Sequence, residues 1–319
     1  MGKHKDKKRN LLADWLLYAG LRIVIVFLSM SSIQHNLQTA CLLGRLLWKH
    51  YGRGRQRALD NLRASFPEKS QEWHESVGRR SFEQLAMLMI DVLFTPRIAK
   101  TYKWSEIARF INIDRPKQMM LDGRGLLLVT AHYGNFELLG YLMAAFGLKI
   151  YSIARPLDNK YINNYLMGVR QHSGQKIIDK KGASDLMEEI AVGGYTLGFI
   201  ADQDAGKKGV FVDFFGRKAS TYKSIGLLAV TYNMPIVVGV TRRVGNDFFF
   251  EAHCTRIIMP EEWAAKPDAL RWVTQEFNKA IEDGIRLDPT QYWWLHRRWK
   301  TRPKEELAQA NKPALAGVK

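Results

Sequence analysis

Between residues 126 and 200 the chain alternates three times between a short strand-like run and a helical pattern. Leu126-Leu127-Leu128-Val129-Thr130, bounded by Gly123 and Gly125, predicts a buried strand. A helix is expected over 136–146. A strand over 149–153 leads to a helix over 159–172. A strand over 176–178 leads to a helix over 184–191, with Ser184 as its cap, and a strand over 196–200 follows. Strand–helix alternation of this kind implies an α/β fold, with a mostly parallel central sheet flanked by helices. Beyond it, 210–215 reads as a strand-like segment within a loop. A helix over 222–232, strands over 235–242 and 247–254 and a helix over 267–286 complete the unit. Upstream, residues 36–65 form one basic helical stretch ended by Pro67. A second helical pattern runs from Trp73 to Phe94, and 104–113 is a less regular approach to the core.

The amino end is lopsided. Lys3, Lys5, Lys7, Lys8 and Arg9 precede an apolar stretch from Leu11 to Ile33, interrupted by Asp14 and Arg22. About 20 mainly apolar residues suffice to span a bilayer. The expectation is a membrane anchor, spanning or interfacial, with Trp15 and Tyr18 near the headgroups; the alternative is a buried helix of a soluble protein. No small-residue cleavage pattern marks a signal peptide. The formal net charge of +17 points to anionic partners. Two cysteines, Cys41 and Cys254, exclude a disulfide framework and a cysteine-based zinc site.

The chemistry is expected where strands end, because open α/β sheets bind ligands at the carboxyl ends of their strands. His132 follows the first strand. Glu137 lies five residues on, in the first turn of the next helix, where an anion is favoured. Gly134 removes bulk beside the imidazole, and Asn135 can cap the helix. A histidine with an acid to hold its tautomer is equipped to take a proton from a hydroxyl. Arg155 follows the second strand, and Asp202 with Gln203 follows Phe199-Ile200-Ala201. Singly, each suits a loop charge, a cap or a turn; jointly they converge on one crevice. Glu137 and Asp202 are then rivals for orienting His132. Arg155 could stabilise an oxyanion or hold a phosphate.

Several classes are excluded. The chain has no Gly-x-Ser-x-Gly elbow, no Gly-x4-Gly-Lys loop and no His-Glu-x-x-His helix. Gly123-Arg124-Gly125 precedes its strand, so it is no dinucleotide fingerprint. The segment from Gln291 to Lys300 is aromatic and basic together. It reads equally as a nucleic-acid platform, as a contact with membrane or phosphate, or as tryptophans packing a terminal helix on the core.

Six blocks, in order, carry a family resemblance. They are Arg57-Ala58-Leu59 with Asn61-Leu62 and Phe66-Pro67-Glu68; Ala131 to Glu137; Ala154-Arg155-Pro156; Asp202-Gln203-Asp204; Gly209 to Gly216; and Trp294 to Lys300. The chain resembles the bacterial lipid A biosynthesis acyltransferases, the late enzymes that add secondary acyl chains to lipid A. The resemblance implies a glycerolipid acyltransferase-like α/β domain with an N-terminal hydrophobic helix, acting on a hydroxyl of a membrane glycolipid. It implies acyl carrier protein thioester as donor and an anionic lipid as acceptor, at the cytoplasmic face of the bacterial inner membrane. His132, Glu137, Arg155 and Asp202 are the expected catalytic set. Asn135, Gln203, Arg297 and Arg298 are the expected substrate contacts. No metal or other cofactor and no nucleic acid is expected, and the chain is read as a monomer. Residues 1–33 would be the basic terminus and anchor, 34–303 the acyltransferase domain, and 304–319 a polar, disordered tail. Rival readings are an acyltransferase acting on a glycerolipid, a phosphatidylinositol mannoside or an aminolipid, and a basic nucleic-acid-binding protein.

Overall fold

The structure is a computed structural model that describes residues 10–154, 156–179 and 183–306, with side chains omitted at 179 and 183–185. Five helices come first: α1 (Leu11–Ser29), α2 (Ile33–His50), α3 (Gly52–Ser65), α4 (Gln71–Thr101) and the short α5 (Trp104–Ile107). Then come β1 (Ala108–Ile111), α6 (Asp114–Leu121), β2 (Leu126–Thr130), α7 (Phe136–Ala145), β3 (Ile150–Ala154), α8 (Lys160–Gln171), β4 (Lys176–Asp179), α9 (Ala183–Val192) and β5 (Thr196–Ile200). The hairpin β6 (Val210–Phe214) and β7 (Arg217–Thr221) is followed by α10 (Lys223–Tyr232), β8 (Ile236–Arg243), β9 (Phe250–Ile258), α11 (Pro260–Trp263) and α12 (Ala269–Leu287).

Seven strands form one sheet in the order β1-β9-β8-β2-β5-β3-β4. Every neighbouring pair is parallel except β8–β9. All five residues of β2 are buried. Leu127 and Val129 join one core cluster with residues of α10 and α12, whereas Leu126 and Leu128 join another with residues of α6 and α7. A strand covered on both faces needs apolar residues at every position, which is why its sequence does not alternate. Each fully buried Leu or Val contributes roughly 1.5–3 kcal/mol. After β2 the chain moves to β3 on one side; after β5 it crosses to β8 on the other. The switch point of the sheet therefore lies at the carboxyl ends of β2 and β5.

Four expectations change. The helical stretch over 36–65 is two helices, broken at Tyr51 (φ −92°, ψ 68°), where Gly52 and Gly54 weaken helix propensity. The helix begun near Trp73 runs on to Thr101 with Pro96 inside it. The segment 210–215 is not an isolated strand in a loop: β6 pairs antiparallel with β7. Phe215 and Gly216, with φ of 50° and 68°, make the two-residue turn between them. Phe215 takes this left-handed conformation because its ring is buried against Phe66 and Trp294. Finally, β9 begins at Phe250 because Val244 N–H donates to Phe249 O and Gly245 (φ 65°) turns the chain before it.

The helix α1 is 19 residues long and apolar enough, by length and composition, to cross a membrane. Its two charges lie on one face. Asp14, Tyr18 and Arg22 recur every four residues and so share one face. That face meets α8: Tyr18 stacks on Tyr161 at 6.0 Å, Arg22 lies over Tyr165 at 4.9 Å, and Asn159 Nδ2 donates to Asp14 O at 2.8 Å. The opposite faces expose Leu12, Leu16, Ile23 and Phe27, and the outer face of α2 exposes Leu42, Leu43, Leu46 and Leu47. The basic residues before Asn10, the Ser184 side chain and the tail from 307 onward lie outside the described residues.

Candidate active site

His132 and Asp202 emerge at the switch point, two residues beyond the ends of β2 and β5. Register brings them together, since Thr130 pairs with Ile200 in adjacent parallel strands. Asp202 is wholly buried and grips His132 with both oxygens. Oδ1 lies 2.7 Å from the ring Nδ1, and Oδ2 accepts the His132 backbone N–H at 3.0 Å. Burial alone would raise the carboxyl pKa. The His132 ring, its two hydrogen bonds and the nearby His296 outweigh burial and hold it well below the usual carboxylate range. A carboxylate fixed in this way keeps the proton on Nδ1 and turns Nε2 outward as a base.

The turn carrying His132 is pinned by the backbone. Gly134 N–H donates to Gln291 O at 3.0 Å, and Asn135 N–H donates to Thr241 O at 3.1 Å. Gly134 has φ of 50°, and a Cβ there would lie 1.9 Å from Thr241 O. Glycine is needed for the turn and for this close approach, rather than for space beside the imidazole. Asn135 is buried, and its Oδ1 accepts Leu138 N–H at 2.9 Å as the cap of α7.

Glu137 stands elsewhere. Its Oε2 accepts Arg170 Nε–H at 2.9 Å and its Oε1 pairs with Arg170 Nη2, which ties α7 to α8. No hydrogen bond joins it to His132 among the described residues. Gln203 is exposed at the mouth, with Nε2 3.5 Å from His132 Nε2. Arg155 lies outside the described residues.

The segment from Tyr292 to Trp299 is a chain of turns, not a helix. Trp294 is fully buried beside Phe66, Phe215 and Tyr292, and its Nε1 donates to Pro289 O at 2.7 Å. Arg298 is equally buried, so the structure places it in the scaffold rather than at an open substrate surface. Its guanidinium donates to Gln203 O at 3.1 Å, Ser220 O at 2.6 Å, Thr221 Oγ1 at 2.6 Å and Asn278 Oδ1 at 2.8 Å. It thus ties the Asp202 loop to the hairpin and to α12. Arg297 is exposed.

One residue of this segment was not singled out from the sequence. The His296 ring packs 4.4 Å from that of His132, centroid to centroid. Burial, the first cause, pushes its pKa down to about 4; His132 and Arg298 add to this and Asp202 opposes it. His296 is therefore neutral near pH 7. Asn61 of α3 holds its loop, donating through Nδ2 to Trp294 O at 2.8 Å and His296 O at 3.1 Å. Trp293 N–H donates to His132 O at 3.1 Å. The signal was present as two blocks far apart in sequence, Asn61 and Trp294 to Lys300, whose adjacency only the fold reveals. His132, Asp202 and His296 each bring one potential metal-donor atom within 4.8 Å of the others. Asp202 and Nδ1 of His132 already satisfy each other.

A histidine–carboxylate pair at the switch point of an α/β sheet is equipment for taking a proton from a hydroxyl, and it stands in a chain whose amino-terminal helix is long and apolar enough to cross a membrane. The comparisons place the chain more closely. The model of the bacterial lipid A biosynthesis acyltransferase family matches residues 2–301, and the chain belongs to that family; it is an acyltransferase. It is 27% identical over 300 residues to the lipid A biosynthesis lauroyltransferase of Escherichia coli (strain K12), covering 91% of this chain and 93% of the relative. Identity to the palmitoleoyltransferase of that strain is 26%, covering 92% and 93%. Identity to its myristoyltransferase is 23%, covering 87% and 84%.

Proposed function

We propose that the chain transfers a fatty acyl group from an acyl carrier protein thioester to a hydroxyl of a lipid A precursor or related glycolipid, at the cytoplasmic face of the bacterial inner membrane. The observation that carries this reading is the His132–Asp202 pair, with Nε2 of the imidazole turned towards the mouth. Nε2 takes the proton of the acceptor hydroxyl. The oxygen attacks the thioester carbonyl, and a tetrahedral oxyanion forms. It collapses to the ester, and the thiolate leaves with the proton from the imidazolium. Asp202 holds the reactive tautomer and stabilises the imidazolium between these steps. The steps call for no metal.

Glu137 fits a positioning role in this scheme, because Arg170 already engages its carboxylate. Arg155 retains the oxyanion or phosphate role read from the sequence. The exposed apolar faces of α1 and α2 suit insertion into lipid. The positive net charge suits both anionic headgroups and an acidic carrier. The test supplies membranes containing the chain with radiolabelled acyl carrier thioester and a lipid A precursor. Label should move to the precursor. Label appearing only in a glycerolipid or an aminolipid would replace the acceptor, and label released only as free fatty acid would reject the transferase assignment.

A further inference from the structure

A narrow, mostly apolar groove starts at the carboxyl ends of β2 and β5, where the Glu137–Arg170 pair forms part of its wall, and runs down one face of β2, β5 and β3 beneath α7. Its floor is built from alternate residues of the three strands. Thr130 and Ile200 form one row, and Leu128, Gly198 and Ser152 form the next. The groove exists because two glycines face it. Gly198 gives the middle of the floor no side chain, and a Cβ there would lie 2.9 Å from Ser152 Oγ. Across from it, α7 presents Gly140. The space between is taken by one polar side chain. Gln175, only 7% exposed, donates from Nε2 to Ser152 Oγ at 2.6 Å, and a Cβ on Gly140 would lie 2.5 Å from the same nitrogen.

We infer that Gln175 is the stop of the acyl slot and limits the transferred chain to about ten to twelve carbons. This rests on the acyltransferase reading above, and on continuity of the groove with the reacting end: Phe136, which lines its top, packs its ring 5.0 Å from that of His132. The length follows from strand geometry. From the level of His132 to the row of Leu128 is four residues, roughly 13 Å at about 3.3 Å per residue. Carbon–carbon bonds of about 1.5 Å advance about 1.3 Å each in an extended zigzag, so about ten bonds fill that length. A longer chain must displace the Gln175 amide and break a buried hydrogen bond, leaving Ser152 Oγ without its partner. A single misfitting methylene in a closed apolar site costs about ten-fold or more in discrimination. Gln175 is a specificity-determining residue in this account and takes no part in proton transfer.

The test uses the full-length protein in phospholipid nanodiscs. Unreactive S-alkyl pantetheine thioethers of graded length compete for binding, read by native mass spectrometry. Acyl transfer from thioesters of the same lengths is measured in parallel. The wild-type protein should favour a chain of about twelve carbons over one of about sixteen by at least about ten-fold. Gln175→Ala should abolish that preference and move the optimum to longer chains. Gln175→Leu, which refills the same space, should restore it. Gly140→Ala, which presses on the amide, should shift the optimum shorter. An unchanged length profile in Gln175→Ala at wild-type thermal stability would overturn the inference. Should that variant not fold, unchanged profiles in both Gly140→Ala and Ser152→Ala would do the same. Length-selective binding without transfer to any glycolipid would instead count against the proposed acceptor while leaving the slot standing.

Discussion

Replacing Asp202 by Asn keeps the shape of the side chain and removes one acceptor oxygen. In the native site both oxygens accept, one from the ring Nδ1 at 2.7 Å and one from the His132 backbone N–H at 3.0 Å. An amide has one oxygen and one NH2 to offer. If its oxygen keeps the backbone N–H, the NH2 donates to Nδ1, and the proton moves to Nε2, where the base should be. If its oxygen keeps Nδ1–H, a donor faces a donor at the backbone. The first arrangement loses the reactive tautomer, the second sets two donors face to face, and both lose the charge that stabilises the imidazolium. Wrong-tautomer substitutions in histidine–aspartate sites of hydrolases lower kcat by about 10⁴, and a loss of about 10³–10⁴ is expected here, roughly 4–5.5 kcal/mol in barrier. Initial rates of acyl transfer in nanodiscs, at matched protein and with folding checked by thermal melt, measure it. The internal control is Glu137→Gln. That change removes the charge from a largely buried pair with Arg170 but leaves an amide oxygen to accept from the guanidinium and does not touch His132, and it should cost under about ten-fold in rate. Combined with His132→Ala, Asp202→Asn should add little further loss, because the two residues act as a unit. The reverse ranking, with Glu137→Gln crippling and Asp202→Asn mild, would refute the assignment of the orienting acid.

Other outcomes follow from the same geometry. His296 titrates near 4 in the folded protein but about 6.5 in an unfolded chain, so the unfolded state takes the proton first. Its contribution is intact above about pH 6.5 and falls by about 3 kcal/mol as pH drops towards 4; thermal melts against pH should show this slope, reduced in His296→Asn. Gly134→Ala meets both a φ of 50° and the Thr241 carbonyl, and should lower stability by at least about 2 kcal/mol and disable the site; a wild-type melting temperature would contradict the close approach. Deleting residues 1–29 should lower membrane retention and weaken α8, because Tyr161 and Tyr165 lose Tyr18 and Arg22. The remaining binding should be salt-sensitive, and full retention at high salt would reject the anchoring role of α1.

The strand β2 was legible because burial on both faces writes itself as an unbroken apolar run, Leu126–Val129. The strand β1 was not, since Ala108–Ile111 is short, lies at the sheet edge and carries Arg109. The hairpin was half legible: Phe215-Gly216 is not the Asn-Gly type of signal that marks a tight turn, and its left-handed phenylalanine is held by burial. In the site, the two acids near His132 could not be ranked from spacing, because Glu137 is near in sequence whereas Asp202 is near only through the register of β2 and β5. The pair that occupies Glu137 depends on Arg170, one helix away. Arg298 and His296 show the opposite limit. Within one aromatic and basic segment, one cation is wholly internal, one histidine abuts the base and Arg297 faces outward. Sequence alone does not say which way each side chain of an irregular turn points.

The central claim is that this chain acylates a lipid A precursor through His132. Mass spectrometry of lipid A from a bacterium stripped of its own enzymes of this family, and expressing this chain, tests it most directly. The account predicts a gain of one acyl mass with the wild-type chain, and no gain with His132→Ala at an equal level in the membrane. An unchanged lipid A spectrum with the wild-type chain, or an equal gain with His132→Ala, would contradict it.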